Sequence, residues 1–333
     1  MENAPSIIRP PSTPSVNIIG CGGAGINMLR HVVSAVTGRA THRYIDTSYS
    51  NLKAGEEVII INGDGSGGLR KENAPLVNQK LSGYTGEQLN LADINIIVFS
   101  LSGGSGSVLG PLLIKEISRR KKLTVAIVIA SSEDQIHTEN TLNTLKSLES
   151  ITAADNIYLP IMIFNNAYGR QVVNKHLPFK LERLVDLLTL PAIEIDKNDR
   201  LHWINVPKIS GAAGGLRLLY VGAERTGSDV DRDGEEWSGT DGYIFDSVIH
   251  LSTDKEVHSL STLIDTRMTF AGTFTTVQNV PMIGVIGNPP NAFDKLTSAI
   301  NDTLQKYKSQ SVKKVAAVTI APDDIDDETG LVL

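Results

Sequence analysis

Short apolar runs alternate with segments of helical periodicity through about the first half of the chain. The runs lie at residues 16–19, 58–61, 94–101, 123–130 and 158–164, and a further strand is predicted at 43–46, where the sequence changes abruptly from apolar to polar. Several of them are apolar throughout, which is typical of parallel strands buried on both faces. Between them, apolar residues recur every three or four positions, as at 28–36 and 141–148. Strands that alternate with helices predict a doubly wound α/β domain over residues 16–165.

The pattern changes beyond residue 165. Residues 167–190 carry a broad apolar face at helical spacing, so we predict one long central helix over residues 166–192, kinked at Pro178. Strand-like runs at 282–286 and 312–321, with a helix over 291–307 between them, predict a smaller α+β second domain over residues 193–321. The proline-rich residues 1–15 are predicted to form an extended arm, and residues 322–333 an acidic tail that is disordered unless a partner orders it.

The composition is that of an ordinary soluble globular protein, with 41% hydrophobic and 20% charged residues. The net charge is −6, and much of it comes from the tail residues Asp323, Asp324, Asp326, Asp327 and Glu328. The rest of the chain is close to neutral, so no overall basic excess indicates nucleic-acid binding. A single Cys21, no signal peptide and no apolar stretch of membrane-spanning length predict a cytoplasmic protein without a membrane partner.

Glycine-rich loops follow three of the predicted strands, at residues 20–25, 63–68 and 102–107. Glycine lets the backbone approach a ligand closely, and serine hydroxyls add hydrogen-bond donors. A helix that begins after such a loop presents unpaired N–H groups at its positive end. Together these features predict phosphate binding, although each loop by itself also fits a structural turn.

The loops admit two interpretations. Gly20, Gly22 and Gly25 match G-x-G-x-x-G between a strand and a helix, and Asp46 lies at the end of the next strand, as in an NAD-dependent oxidoreductase. A dinucleotide needs the first loop alone, whereas three loops favour a mononucleotide whose whole triphosphate is enclosed. The motif G-x-x-x-x-G-K-[ST] does not occur, which excludes a P-loop enzyme.

The ordered set of motifs resembles the tubulin/FtsZ family of polymerising GTPases. The set comprises GCGGAGIN at residues 20–27, SGGSGSVLGP at 102–111, an Asn at the start of the central helix, and D-x-x-D at 196–199. The family's signature loop is GGGTG[ST]G, and here Ser102 and Val108 replace its outer glycines. The divergent signature, the short chain and the acidic tail are most similar to the phage- and plasmid-encoded members, the PhuZ and TubZ tubulins.

The resemblance implies a site for GTP or GDP with Mg²⁺. Two loops hold the α- and β-phosphates, residues 65–68 sense the γ-phosphate, and amide side chains face the guanine and ribose. Mg²⁺ is expected to bridge phosphates with mostly water ligands, so no metal-binding residues are predicted. The implied nucleotide-binding residues are Gly20, Cys21, Gly22, Gly23, Asn27, Asp46, Gly65, Ser66, Gly67, Gly68, Gly103, Gly104, Ser105, Gly106, Ser107, Glu133, Asn165 and Asn166. For Asn165 a helix cap is the alternative.

Asp196 and Asp199 are the residues to which the resemblance assigns catalysis. In the family this loop enters the nucleotide site of the neighbouring subunit, where it orients and polarises the attacking water, so hydrolysis requires assembly. The local sequence also fits a cap of the following helix. A D-x-D-x-D-G segment at 229–234 begins like a calcium loop, but Thr240 stands where a Glu ligand is needed, which favours an exposed loop.

We therefore predict a GTP-hydrolysing cytoskeletal protein that assembles head to tail into a homopolymer and positions or segregates phage or plasmid DNA. The acidic tail, which ends in the apolar GLVL, is expected to dock on a neighbouring subunit. An NAD-dependent oxidoreductase, and a GTP-dependent scaffold that does not hydrolyse its nucleotide, remain as alternatives.

Overall fold

A computed structural model describes residues 12–63, 65, 67, 70–191, 195–207, 211, 213–223, 245–252, 269–273, 282–287 and 292–317. The strands are β1 (Val16–Cys21), β2 (Thr41–Ser48), β3 (Val58–Gly63), β4 (Ile94–Ser100), β5 (Leu123–Ala130), β6 (Tyr158–Asn165), β7 (Gly215–Ala223), β8 (Phe245–Ser252), β9 (Thr269–Thr273) and β10 (Met282–Gly287). The helices are α1 (Gly22–Val36), α2 (Arg70–Leu81), α3 (Gly106–Arg119), α4 (Gln135–Ala154), α5 (Arg170–Thr189), α6 (Lys197–Ile204) and α7 (Ala292–Ala317), with a 3₁₀ helix at Asn166–Tyr168. None of the described helices has the length and apolar character needed to cross a membrane.

The described strands form one sheet in the order β3-β2-β1-β4-β5-β6-β7-β10-β8-β9. Neighbours from β3 to β7 pair in parallel, whereas β10 is antiparallel to both β7 and β8. Runs rich in Val and Ile, such as β4 and β5, suit the middle of the sheet because branched side chains pack well on a pleated surface. Every residue of β4 is buried, and the predicted α/β class is confirmed.

Helices cover both faces of the sheet. Ile18 of β1 packs in a core with α1 and α5, and Ile19, one position later, packs in a second core with α2, α3, α4 and α7. Successive side chains of a strand point to opposite faces, so a strand that is apolar throughout contributes to both cores. This is the doubly wound arrangement that the apolar runs predicted.

The strand order reverses between β1 and β4. β1 continues into α1 on one face of the sheet, and β4 continues into α3 on the other. The carboxyl ends of two strands whose helices diverge leave a crevice, which is where ligands bind in open α/β sheets. The loops at residues 20–25 and 102–107 lie at this point.

The sheet continues from the first half of the chain into the second. β7 pairs in parallel with β6, although helices α5 and α6 separate the two strands in the sequence. Helix α5 begins at Arg170 rather than at residue 167, because Gly169 has a φ of 101° and interrupts the helical conformation. It continues through Pro178 to Thr189. The domain bounds near residues 165, 192 and 321 stay predictions.

Two predicted elements differ from the structure. The strand predicted over 312–321 is wrong for residues 312–317, because α7 extends to Ala317; residues 318–321 lie outside the described residues. The Lys and Ala pairs of this segment favour helix, and each residue added to an existing helix gains a hydrogen bond without a new nucleation step. Helix α2 was not predicted. Its buried apolar residues are few, including Val77 and Leu81, so the periodicity that reveals a helix is weak.

Asp93 joins three parts of the fold at the start of β4. Its Oδ2 accepts hydrogen bonds from Ser15 N (3.1 Å), Ser15 Oγ (2.9 Å) and Lys197 Nζ of α6 (2.6 Å). Burial raises the pKa of Asp93, but the bonds from Lys197 and Ser15 outweigh that effect and lower the pKa to about 2. A carboxyl group with a lowered pKa stabilises the folded state above its ordinary pKa of about 4, and this contribution is lost as the pH falls.

Asp93→Asn should lower the free energy of unfolding by about 1 kcal/mol near neutral pH, because the amide keeps the shape and loses the charge. The deficit should shrink as the pH falls from about 4 towards 2, where the wild-type carboxyl also becomes protonated. Urea unfolding across this pH range measures both effects. Asp155→Asn is the matched control, since Asp155 is more exposed and lies 3.8 Å from Lys115 Nζ. Equal losses in the two variants would contradict a special role for Asp93.

Candidate functional site

Two glycine loops meet backbone to backbone at the carboxyl ends of β1 and β4. Gly22 begins α1 with a φ of 68°, and a Cβ at this position would lie 2.7 Å from the Gly106 backbone nitrogen. A Cβ on Gly106 would in turn lie 3.1 Å from the Cys21 carbonyl oxygen. The positive φ and the lack of room both require glycine at position 22. As a result, α1 and α3 begin side by side.

The other glycines of the first loop serve helix packing. A Cβ on Gly25 would lie 2.1 Å from the Val98 carbonyl oxygen of β4, and one on Gly20 would lie 2.9 Å from the Gly25 carbonyl oxygen. Neither distance is compatible with a side chain, so the first turn of α1 lies directly on the sheet. This contact fixes where the positive end of α1 points.

A serine hydroxyl stabilises the conformation of the loop between β4 and α3 by hydrogen bonds. Ser100 Oγ accepts hydrogen bonds from the backbone nitrogens of Ser102 (3.2 Å) and Gly103 (3.3 Å). From α4, Asn140 Nδ2 donates to the Ser102 carbonyl oxygen over 3.0 Å. The loop is therefore held by side chains from two elements of its own chain.

A cavity of about 540 Å³ opens between these loops, a size typical of ligand pockets. The predicted nucleotide-binding residues in its wall are Cys21, Gly22, Gly23, Asn27, Gly103, Gly104, Ser105, Gly106 and Asn166. The predicted residues that the structure describes outside the wall are Gly20, Asp46, Gly65, Gly67, Ser107, Glu133 and Asn165. Ser66 and Gly68 lie outside the described residues, as do the D-x-D-x-D-G segment and the acidic tail.

The cavity wall is basic. It contains the side chains of Arg30, Lys53 and Arg170, the two histidines His31 and His137, and the starts of helices α1 and α3. None of the described residues that line the wall is a carboxylate. Two helix N-termini beside three cations suit a ligand that carries several negative charges, such as a polyphosphate.

These cations were missed from the sequence, although their spacing could have revealed them. Arg30 and His31 follow Gly23 and Asn27 at three- and four-residue steps, so all four lie on one face of α1. Arg170 and Asn174 likewise follow Asn166 at steps of four. These residues could have been found by adding, for each predicted binding residue, the residues three and four positions later on the same helix face.

Arg30 is held in place by three partners. Its Nε donates to Glu56 Oε1 over 2.7 Å, Nη2 donates to the Asn51 carbonyl oxygen over 2.6 Å, and Nη1 donates to Asn27 Oδ1 over 2.8 Å. The hydrogen bond with Glu56 raises the pKa of Arg30 and lowers the pKa of Glu56. The guanidinium group therefore stays charged and lies at a defined place in the wall.

Glu133 and Asn165 are engaged with the protein. Glu133 Oε1 accepts a hydrogen bond from Arg170 Nε over 2.8 Å, and this bond lowers the pKa of Glu133. Glu133 therefore reaches the cavity through Arg170. Asn165 Oδ1 accepts from Ala167 N over 2.9 Å, so its side chain caps the 3₁₀ helix, as its alternative assignment anticipated. A direct contact of either residue with a nucleotide stays a prediction.

Asp46 is fully buried at the end of β2. Its Oδ1 accepts from Thr47 N over 2.7 Å, and its Oδ2 accepts from Asn51 Nδ2 over 3.0 Å. Thr47 Oγ1 lies 2.6 Å from Ser105 Oγ, so the end of β2 supports the second glycine loop. In a dinucleotide site the acidic residue binds ribose hydroxyls. Both oxygens of Asp46 are bonded within the protein, which weighs against an NAD site.

Comparison with known proteins agrees with this geometry. Residues 15–169 match the profile of the tubulin/FtsZ family, GTPase domain. This segment, just under half of the chain, is therefore similar to a tubulin/FtsZ GTPase domain, and we call it the GTPase domain. It contains β1 to β6 and all the residues that line the cavity except Arg170 and Asn174.

Phage proteins are among the relatives of this chain. A phage tubulin-like protein of Pseudomonas phage PhiPA3 is 31% identical over 171 residues, which are 50% of this chain and 54% of the relative. One of Pseudomonas phage 201phi2-1 is 32% identical over 196 residues, which are 57% of this chain and 61% of the relative. These matches span less than two thirds of the relatives' own length.

Solved structures show that the fold extends beyond the GTPase domain. The phage tubulin PhuZ with GDP has a TM-score of 0.77 at 23% identity, over 96% of this chain and 99% of that one. A protofilament of TubZ from bacteriophage PhiKZ has a TM-score of 0.74 at 24% identity, with the same coverage. The described part of the chain therefore has the tubulin/FtsZ fold.

Asp196 and Asp199 lie outside the GTPase domain and outside the cavity wall, and they form a capping box at the start of α6. Asp196 Oδ1 accepts from Asn198 N (2.7 Å) and Asp199 N (3.1 Å), and Asp199 Oδ2 accepts from Asp196 N (2.9 Å). The cap uses one oxygen of each carboxylate. Asp196 Oδ2 and Asp199 Oδ1 take no part in it.

Arg200 holds the loop before this cap from the inside. Its guanidinium is fully buried and donates to the carbonyl oxygens of Leu187 (3.0 Å), Leu190 (2.6 Å), Ile195 (2.9 Å) and Asp196 (3.2 Å). Burial lowers the pKa of Arg200, and the carbonyl dipoles at the end of α5 partly offset the cost of burying its charge. The end of α5 and the aspartate pair are therefore joined as one unit.

Gly22→Ala should lower the free energy of unfolding by about 1–3 kcal/mol, because the residue combines a positive φ with a contact too short for a Cβ. Gly103→Ala is the matched control from the second loop, since a Cβ there would lie 3.8 Å from its nearest neighbour, an ordinary contact. Denaturant unfolding of both variants measures the difference. If Gly22→Ala is as stable as Gly103→Ala, the close approach of the loops is not a constraint on this fold.

Proposed function

We propose that this protein binds GTP, hydrolyses it, and assembles head to tail into filaments in which a neighbouring subunit completes each active site. The observation that carries the proposal is that the groups suited to bind phosphate and the carboxylates suited to activate water lie in different parts of the chain. The cavity offers cations and N–H groups but, in the described wall, no carboxylate, whereas the exposed Asp196 lies at the far end of α5. Activation of a water molecule needs a base beside the phosphate, and a second copy of the chain can supply one.

Phosphate binding is assigned to the two loops and their cations. The starts of α1 and α3 offer backbone N–H groups, and Ser105 adds a hydroxyl at the same place. Arg30 and Lys53 on one side, with Arg170 on the other, neutralise the charge of the phosphate chain. The amides of Asn27 and Asn166 are assigned to the guanine or ribose, because an amide offers both a donor and an acceptor.

Mg²⁺ fits this cavity as an ion that the nucleotide brings with it. The described residues contain no group of three or more His, Cys, Asp or Glu side chains that could hold a metal ion. Mg²⁺ keeps several water ligands and binds readily between phosphate oxygens. It would withdraw negative charge from the phosphates, while the chain itself would contribute at most the Ser105 hydroxyl as a ligand.

The capping box is compatible with catalysis. It leaves Asp196 Oδ2 and Asp199 Oδ1 available, and Arg200 and the Asp93–Lys197 pair hold the segment in place. In the assembled filament we assign these free oxygens to the attacking water, which they orient and partly deprotonate. Water in solution lacks this base, so a subunit alone hydrolyses GTP slowly.

Filament formation follows from the position of the two half-sites. They lie at opposite ends of α5, so the contact that joins them is heterologous and repeats without closing. Structures described as a TubZ protofilament and a PhuZ201 filament support this for similar folds. We further propose that the filament positions phage DNA in the host cytoplasm, and that the acidic tail docks on the adjacent subunit.

Light scattering tests assembly. At micromolar protein we expect scattering to rise on addition of GTP with Mg²⁺, and to stay flat with GDP or NADH. A chain that ends at Pro322 should scatter less while it binds GTP as tightly, because it lacks the acidic tail. A flat trace with GTP would refute the filament, and equal scattering of the two chains would refute tail docking alone.

Asp199→Asn and Asp199→Ala separate catalysis from capping. Asn keeps an oxygen that can accept from Asp196 N, so its stability should match the wild type, whereas Ala should lose about 1 kcal/mol with the cap. Both variants should still assemble with GTP, and phosphate release from the filaments should fall by about 100-fold or more in each. Normal phosphate release by Asp199→Asn would show that Asp199 is a cap and nothing else.

A further inference from the structure

The C-terminal helix is docked on the GTPase domain. Phe293, Leu296, Ile300 and Leu304 recur at three- and four-residue steps along α7 and pack into the core formed with α3 and α4. Lys308 adds an ion pair, with its Nζ 3.7 Å from Glu139 Oε1 of α4. The helix therefore holds a fixed position along α4 as far as the turn that follows Leu304.

Tyr307 lies in that turn and contacts the loop between β5 and α4. Its hydroxyl is 2.9 Å from the Ser132 carbonyl oxygen and 2.8 Å from the Glu133 carbonyl oxygen, and donates one hydrogen to the pair. The loop is short, since β5 ends at Ala130 and α4 begins at Gln135. One side chain from the end of the chain thus holds the middle of a loop that is distant in sequence.

The contact lies next to a residue of the nucleotide cavity, and one contacted residue holds another residue of the cavity wall. Ser131 is in the wall, is 3% exposed, and its Oγ has no hydrogen-bond partner among the described residues. A buried hydroxyl without a partner costs free energy, so a ligand oxygen that meets it there is favoured. Glu133 holds Arg170, which is also in the wall. Tyr307 therefore bonds the backbone between Ser131, which lines the cavity, and the Glu133 side chain, which holds a residue of the wall.

We propose that Tyr307 is a positioning residue for the bound nucleotide, and that through it α7 controls how fast the nucleotide leaves. The proposal rests on the guanine-nucleotide site proposed above and adds a connection from the C-terminal helix to that site. Without the Tyr307 hydroxyl the loop backbone loses its bond, so Ser131 and the Glu133–Arg170 pair lose their fixed positions. The nucleotide then dissociates faster while its contacts remain chemically the same.

The test is the release rate of a fluorescent GDP analogue, N-methylanthraniloyl-GDP, from the full chain, measured by stopped flow with excess GDP as competitor. Tyr307→Phe should release the analogue about twofold to tenfold faster than the wild type, the range that one lost hydrogen bond supplies. Its thermal unfolding midpoint without added nucleotide should fall only slightly, because a single hydrogen bond is lost. A hydroxyl with a merely structural role would lower the midpoint and leave the release rate unchanged.

Tyr84→Phe is the matched control. Tyr84 is partly buried against the core that α7 joins, and it lies outside the cavity wall in the turn after α2. If Tyr307→Phe releases the analogue as slowly as Tyr84→Phe and the wild type do, this inference is overturned, and the proposed GTP site is unaffected. Failure of the wild-type chain to bind the analogue at all would overturn both proposals.

Discussion

The close approach of two backbones at the carboxyl ends of β1 and β4 is the constraint on which the site depends. Gly22 and Gly106 touch without side chains, and Gly25 lies directly on the Val98 carbonyl oxygen. Because of these contacts the positive ends of α1 and α3 open into one cavity from opposite faces of the sheet. Larger residues would separate the helices, and the remaining cations would then surround a gap rather than a ligand-sized space.

Much of the fold could be predicted because it follows from periodicity. A strand such as β4, buried on both faces, must be apolar throughout, and glycines at a strand-to-helix turn show where the backbone comes close to a ligand. Two helices were harder to predict. Helix α2 lacks a clear apolar stripe, and the end of α7 was mistaken for a strand, since a few Val residues are weaker evidence than the helix that precedes them.

The glycine loops and two amides, Asn27 and Asn166, were predicted for the site and lie in the cavity wall, whereas its cations were missed. Gly103 to Gly106 are in the wall as expected, whereas Asp46 and Asn165 use their polar atoms within the protein. Sequence spacing cannot show whether a carboxylate or an amide is already bonded. Arg170 was missed because it is distant from Glu133 in the sequence, and only the fold brings the two side chains together.

Helix α5 sets a length as well as a connection. Its first turn lines the cavity, and its last turn is bonded through Arg200 to the segment that carries Asp196. Twenty residues of α-helix measure about 30 Å, so α5 by itself spans about that length between the cavity and the segment that carries the aspartates. In the proposed filament, where one subunit's aspartates meet the next subunit's cavity, the axial spacing between successive nucleotides is then of this order. The length of α5 would thus set the axial repeat of the polymer.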